Sequence, residues 1–184
     1  HITTVGFQMY CDLLSIEIQR TKSEDGVVQK APNVTTSFQL DISSDYIENM
    51  SLRIDYYYRI GSATSVEQLN KVEKELVDVF GPIPDKTRKL LLVTSLKNRY
   101  RSTPVSQIDI QDGVLKIVVQ PFNEKEQLVF LSRVGIYKHK ALESVRFKEV
   151  SGGLLGVFLN ISDSGDVFDL LSDFVHLFDP IDTA

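Results

Sequence analysis

The sequence contains no tryptophan, so the bulk of any core must come from its 10 phenylalanines, 7 tyrosines and aliphatic residues. Its single cysteine, Cys11, excludes an internal disulfide. Only three histidines are present, His1, His139 and His176, and they stand apart without Cys/His spacing suited to zinc. No apolar run approaches the roughly 20 residues of a membrane-spanning helix. Positive charge is not in surplus either: 20 Lys and Arg against 25 Asp and Glu leave a formal net charge of -5. That balance argues against non-specific attraction to DNA or anionic membrane as the main activity, while leaving room for a local basic face. Asn33-Val34-Thr35 and Asn160-Ile161-Ser162 match the glycosylation acceptor pattern. Without a signal peptide, and beside an unpaired cysteine, both are read as incidental, and a soluble, reducing compartment is expected. The chain opens on His1 rather than Met, so an excised fragment is expected.

Catalytic machinery is also missing from the pattern. Gly152-Gly153 lies between apolar runs and lacks the Walker spacing and its Lys-Ser/Thr. No serine sits in a nucleophile elbow. The expectation is a chain with no catalytic site, no cofactor and no metal. A hydrophobic content of 42% still allows a real core, and 184 residues allow one or two domains.

The clearest element runs from Ser65 to Pro84. Val66, Leu69, Val72, Leu76 and Phe80 recur at spacings of three and four, the stripe of an amphipathic helix. Ser65 with Gln68 has capping-box spacing, with Thr64 and Glu67 as a competing register. Gly81 suits the C-terminal position, Pro82 stops the helix, and Pro84 suits the first turn of the next one. Lys71, Lys74, Glu75 and Asp78 occupy the opposite face, and Glu75 and Asp78, three apart, project from the same side.

Around this helix the chain reads in order. Val5 to Arg20 is helical with apolar residues on more than one side, and Thr21 to Pro32 is a polar linker. Thr36 to Ile42 alternates Phe38, Leu40 and Ile42 with polar residues, which predicts a half-buried strand. Asp45 to Asn49 is a turn or short helix. Met50 to Ile60 is read as helix, although Tyr56, Tyr57 and Tyr58 would also suit a strand. Pro84 to Tyr100 makes a third helix, with Lys86, Arg88, Lys89, Lys97, Arg99 and Arg101 on its polar side. After Pro104 come two strands joined at Asp112-Gly113, a hairpin signal. A helix over Glu124 to Gly135 bears Leu128, Val129, Leu131 and Val134. Strands at Ser144 to Val150 and Leu154 to Ile161 follow, then a helix over Val167 to Phe178. The predicted class is α+β: an N-terminal helical layer over about 45–101, then a strand-strand-helix-strand-strand-helix half over about 104–180.

The charged face of the Ser65–Pro84 helix has two readings. One is a solvated surface with weak pairing such as Lys71 with Glu75, worth a few tenths of a kcal/mol. The other is a docking patch whose carboxylates accept bidentate hydrogen bonds from a partner's arginines. Enzymatic use of Glu75 and Asp78 is disfavoured, because solvated carboxylates beside Lys71 and Lys74 stay ionised.

Leu52-Arg53-Ile54-Asp55-Tyr56-Tyr57-Tyr58-Arg59-Ile60, followed by Glu75-Leu76-Val77-Asp78-Val79-Phe80-Gly81-Pro82-Ile83-Pro84, resembles the C-terminal domain of bacterial transcription-repair coupling factors (Mfd). That family carries a basic-aromatic helix, a spacer, then E-L-x-D-R-F-G-x-x-P. Upstream, Val5-Gly6-Phe7-Gln8-Met9-Tyr10-Cys11-Asp12-Leu13-Leu14 is similar to the family's G-[FY]-x-x-Y-x-x-L-L segment, which leaves the translocase module. The resemblance implies that residues 1–30 are the helix and linker ending a translocase module, and that residues 31–184 are a C-terminal regulatory domain without a motor. The parent would be a cytoplasmic ATP-driven DNA translocase that displaces stalled RNA polymerase and recruits the excision-repair protein UvrA. Its C-terminal domain would dock on an N-terminal UvrB-like module, hiding the UvrA-binding surface and restraining the motor. The docking contacts carry over onto Glu75 and Asp78. The family arginine is Val79 here, so any contact made by that cation is absent. Two further readings stand beside this one. The first is a nucleic-acid-binding module using the basic helix 86–101. The second is a scaffold in which Phe7, Tyr10 and Leu14 pack on another chain.

Overall fold

The computed structural model describes residues 31–121, 123–162 and 166–179. The helix and linker expected over residues 1–30 lie outside them. The described chain forms two compact units: a helical one, Phe38–Asn98, and a sheet unit that joins the residues through Ser37 to those from Arg99 onward.

In the helical unit, α1 (Met50–Ser62), α2 (Val66–Phe80) and α3 (Asp85–Arg99) follow through short joints. Each start has a local cause. Asn49 accepts from the Leu52 amide at 3.1 Å and opens α1. Ser65 accepts from the Gln68 amide at 3.3 Å and opens α2, as its spacing predicts. The Gln68 side chain returns not to Ser65 but to the Thr64 amide, at 2.8 Å. Leu69, Val72 and Leu76 of the predicted stripe are buried, with Val66 and Phe80 at its margins. They join Tyr56, Ile60, Ile83, Leu90 and Leu91 in one core, where each fully buried aliphatic side chain contributes about 1.5–3 kcal/mol.

The strand expected over Thr36–Ile42 is corrected by the structure. The strand is β1 (Asn33–Thr36), and residues 38–42 are irregular. Their alternation is real, since Ile42 is buried and Leu40 packs on the helical core. Their backbone, however, is satisfied by side chains: the Ile42 amide donates to the Tyr57 hydroxyl at 2.6 Å, and the Thr87 hydroxyl donates to the Asp41 carbonyl at 2.9 Å. A period of two marks a half-buried segment, not necessarily a sheet partner.

In the sheet unit, β2 (Val105–Gln111), β3 (Val114–Val119), α4 (Glu124–Ile136), β4 (Leu142–Val150), β5 (Leu154–Ile161) and α5 (Val167–Phe174) reproduce the predicted order. A 3-10 turn, Val175–Phe178, completes the last helix. The sheet order is β1-β2-β3-β5-β4, antiparallel except that β1 runs parallel to β2. The helical unit is thus inserted in the connection between two parallel neighbours. Gly113 closes the first hairpin at φ 75°. In α4, Phe130 and Val134 face inward while Leu128 is exposed. Phe130 stacks on Phe178 at 4.8 Å, within a ring cluster that includes Tyr100 and Phe174. These rings supply the bulk that the missing tryptophan does not.

Candidate functional site

The outer face of α2 is positioned by α1. Tyr56 and Arg59 lie one turn apart on α1 and therefore share a side of it. Both reach Glu75. The Arg59 guanidinium donates from Nη1 to Oε1 at 2.8 Å and from Nη2 to Oε2 at 2.5 Å, a bidentate fork, and the Tyr56 hydroxyl adds a bond to Oε1 at 2.9 Å. The guanidinium also lies 4.9 Å from the Tyr56 ring centroid and 3.8 Å from Asp55. The Arg59 hydrogen bonds, then the Tyr56 hydroxyl, hold the Glu75 carboxyl down at about 2. The same pairing pushes Arg59 above its usual value. Burial, then the bond to Glu75, pushes the Tyr56 phenol up.

Glu75 therefore differs from its sequence reading as a solvated carboxylate paired with Lys71. Its partners are Arg59 and Tyr56, and it ties α2 to α1. Asp78 lies three residues on along the same face and is exposed, with no hydrogen bond or ion pair among the described residues. Val79 completes that face at 61% exposure. Of the three residues singled out, Asp78 and Val79 are open to solvent while Glu75 is held. Sequence reasoning missed Arg59 and Tyr56. Their i, i+3 spacing was the available signal, but pairing them with Glu75 requires the rotation of both helices.

The end of this face is set by Gly81, whose φ of 82° and ψ of -158° suit only glycine, and whose amide donates to the Val77 carbonyl at 2.9 Å. The Tyr46 hydroxyl is shared between the Leu76 and Gly81 carbonyls at 3.1 Å each. The ring of Phe80 is held edge-on by Tyr46 and Tyr56 at 5.8 and 5.7 Å.

The basic side of α3 is divided among local partners. Lys89 pairs with Asp85 at 2.7 Å and stands 5.2 Å over the Phe38 ring, and Lys86 donates to Gln39 at 2.8 Å. Arg88 and Arg99 are exposed. His139 is a packing residue, its Nδ1 accepting from the Ala141 amide at 3.2 Å and its Nε2 lying 3.4 Å from Asp169. Among the described residues no group of three or more His, Cys, Asp or Glu could hold a metal ion, and no helix is long and apolar enough to cross a membrane.

Known proteins resemble this chain in sequence and in fold. The family model described as the TRCF domain matches residues 36–128, half of the chain. The transcription-repair-coupling factor of Haemophilus influenzae is 29% identical over 113 residues, covering 59% of this chain and 10% of that protein. That of Myxococcus xanthus is 29% identical over 118 residues (64% and 10%), and that of Escherichia coli 26% over 111 residues (58% and 10%). The chain thus spans about a tenth of the length of these curated relatives. The crystal structure of a C-terminal domain of transcription-repair coupling factor superposes with a TM-score of 0.63, covering 81% of this chain and 91% of that one. At 16% identity that likeness speaks for the fold. With the family model spanning both helices of the clamp, the E-L-V-D-V-F-G stretch and the first hairpin, the chain belongs to the TRCF domain family.

Proposed function

We propose that this chain is a non-catalytic regulatory domain of a transcription-repair coupling factor. It docks on the N-terminal UvrB-like module of its parent, hides the UvrA-binding surface and restrains the DNA translocase. The observation that carries this reading is the open Asp78 carboxylate, set beside exposed Val79 on a face held rigid by the Arg59–Glu75–Tyr56 clamp. An exposed, unpaired carboxylate on a fixed helix face accepts a bidentate arginine without first giving up another partner. Glu75 supports the contact from behind by fixing α2. Val79 offers an apolar flank where the family motif has a cation.

The latch is a population balance between a closed form held by a few such contacts and an open form favoured by competing partners. The test uses the full-length parent and its isolated N-terminal module. Asp78→Lys weakens binding of this chain to the module by about tenfold or more and raises the parent's affinity for UvrA. Unchanged affinity in both assays would sink the latch. Asp78 is the cleaner position to alter, since any change at Glu75 also breaks the clamp.

A further inference from the structure

The sheet ends on β4, a strand of 9 residues against 4 in β1 at the other edge. Long open edges are unusual, because a row of free amides and carbonyls invites another strand, and proteins shorten, cover or bulge them; β4 has a register irregularity between Leu142 and Ser144 and runs in regular register from Ser144 to Val150. Among the described residues, the backbone of Glu143–Val150 bonds only to β5.

The two faces of this edge differ. Val145 and Phe147 pair with Leu159 and Val157, both fully buried, yet Phe147 itself is 42% exposed. Between the C-terminal end of α4 and β4 runs a groove of about 540 Å³, with Val134 and Tyr137 on one side, Val145 and Phe147 on the other, and Lys138 and Glu143 also in its lining. Ile136, beside it, is 79% exposed. On the opposite face of the strand Arg146 and Lys148 alternate with the apolar positions. Arg146 makes one long bond, 3.4 Å, to Asn160, and Lys148 has no partner among the described residues.

We propose that β4 and its groove form a strand-addition site for an extended segment of a partner protein in which apolar residues alternate with acidic ones. Main-chain bonds to the free edge supply affinity. The groove takes the apolar row, and Arg146 with Lys148 takes the acidic row. The face that presents Arg146 and Lys148 is cationic, while Glu149 lies on the same face as Val145 and Phe147. A second copy of the chain fits poorly. The symmetric antiparallel register that uses the whole strand is centred on Arg146, setting Arg146 against its own copy and Glu143 against Glu149. This site is separate from the α2 face and does not depend on it.

The test uses the full chain and two labelled synthetic peptides of the same length as β4, one alternating valine with glutamate and one alternating valine with lysine. Fluorescence anisotropy shows the acidic peptide binding at micromolar concentration and the basic peptide binding at least about tenfold more weakly. Hydrogen exchange slows in Glu143–Val150 on binding and is unchanged in α2. Arg146→Glu with Lys148→Glu, both at the solvent face, reverses the preference, and Phe147→Ser weakens the acidic peptide while leaving the charge preference intact. The assignment is overturned by absence of binding, by equal binding of both peptides that ignores the charge reversal, or by a doubled solution mass with β4 protected in the chain alone.

Discussion

Two glycines allow a test in which only backbone conformation differs. A Cβ added at Gly81 or at Gly135 would meet nothing within 4 Å, so steric contact contributes to neither substitution. Gly81 stands at φ 82° and ψ -158°, a region that costs a residue with a side chain about 1–3 kcal/mol. Gly135 lies within α4 at negative φ, where alanine gains about 0.5 kcal/mol over glycine near a helix end. Gly81→Ala therefore lowers stability and Gly135→Ala raises it. At roughly 4–8 °C per kcal/mol for a domain of this size, Gly81→Ala lowers the Tm of the helical unit by roughly 4–24 °C. With no tryptophan to report, thermal unfolding is followed by far-ultraviolet circular dichroism, and hydrogen exchange assigns the loss to α2. A third variant sharpens the sign: D-alanine, introduced at position 81 by semisynthesis, has its mirror-image preference satisfied there and keeps or raises the wild-type Tm. If both alanine variants shift Tm the same way, or D-alanine fails like L-alanine, backbone strain is not what fixes this turn.

Two other outcomes follow from single contacts. Glu75 titrates at about 2 in the fold against an ordinary 4.5, so its contribution is complete above pH 4.5 and is lost as the pH falls from there toward 2. Urea midpoints measured across that window fall less steeply for Glu75→Gln than for wild type, and parallel curves would refute the clamp. Tyr100 is fully buried and its hydroxyl donates to the Leu171 carbonyl at 2.7 Å, so Tyr100→Phe costs about 1–2 kcal/mol in denaturant unfolding, and a neutral result would mean that the carbonyl finds another donor.

The legible parts of this chain are those where local chemistry and tertiary use agree. In α2 the stripe, the serine cap and the glycine stop all point to one helix, and the structure keeps all three. The glycines of both hairpins, Gly113 and the Gly152-Gly153 pair, take positive φ where the turns need it. β1 was not legible, because Asn33-Val34-Thr35-Thr36 has no run of apolar residues. It becomes a strand by pairing with β2, where Thr35 also donates to Asp109. Strand order was out of reach for a similar reason. Alternation reports which face of β4 is inward, not that β5 lies between it and β3. In α4, Leu128 and Phe130 both fit an apolar helix, and the structure places Phe130 against the Phe178 ring.

The site divides along the same line. Glu75 and Asp78 look equivalent in sequence, two carboxylates three apart on one helix face. Their difference arises on another helix. Arg59 keeps a third of its side chain exposed and is satisfied by Glu75, so an incoming arginine could take Glu75 only by leaving Arg59 without its bidentate partner. That exchange trades one ion pair for another and gains little. Asp78 has no such prior claim, and a partner's cation meets it at no cost to the fold. Of the two carboxylates on this face, Asp78 is thus the one offered, because Arg59 neutralises the other. The distinction also locates the salt sensitivity. Asp78, at the exposed rim, is screened at physiological ionic strength, while the Arg59–Glu75 fork, short and bidentate, is screened less. The docking proposed above is therefore expected to loosen with salt well before the α1–α2 pair does.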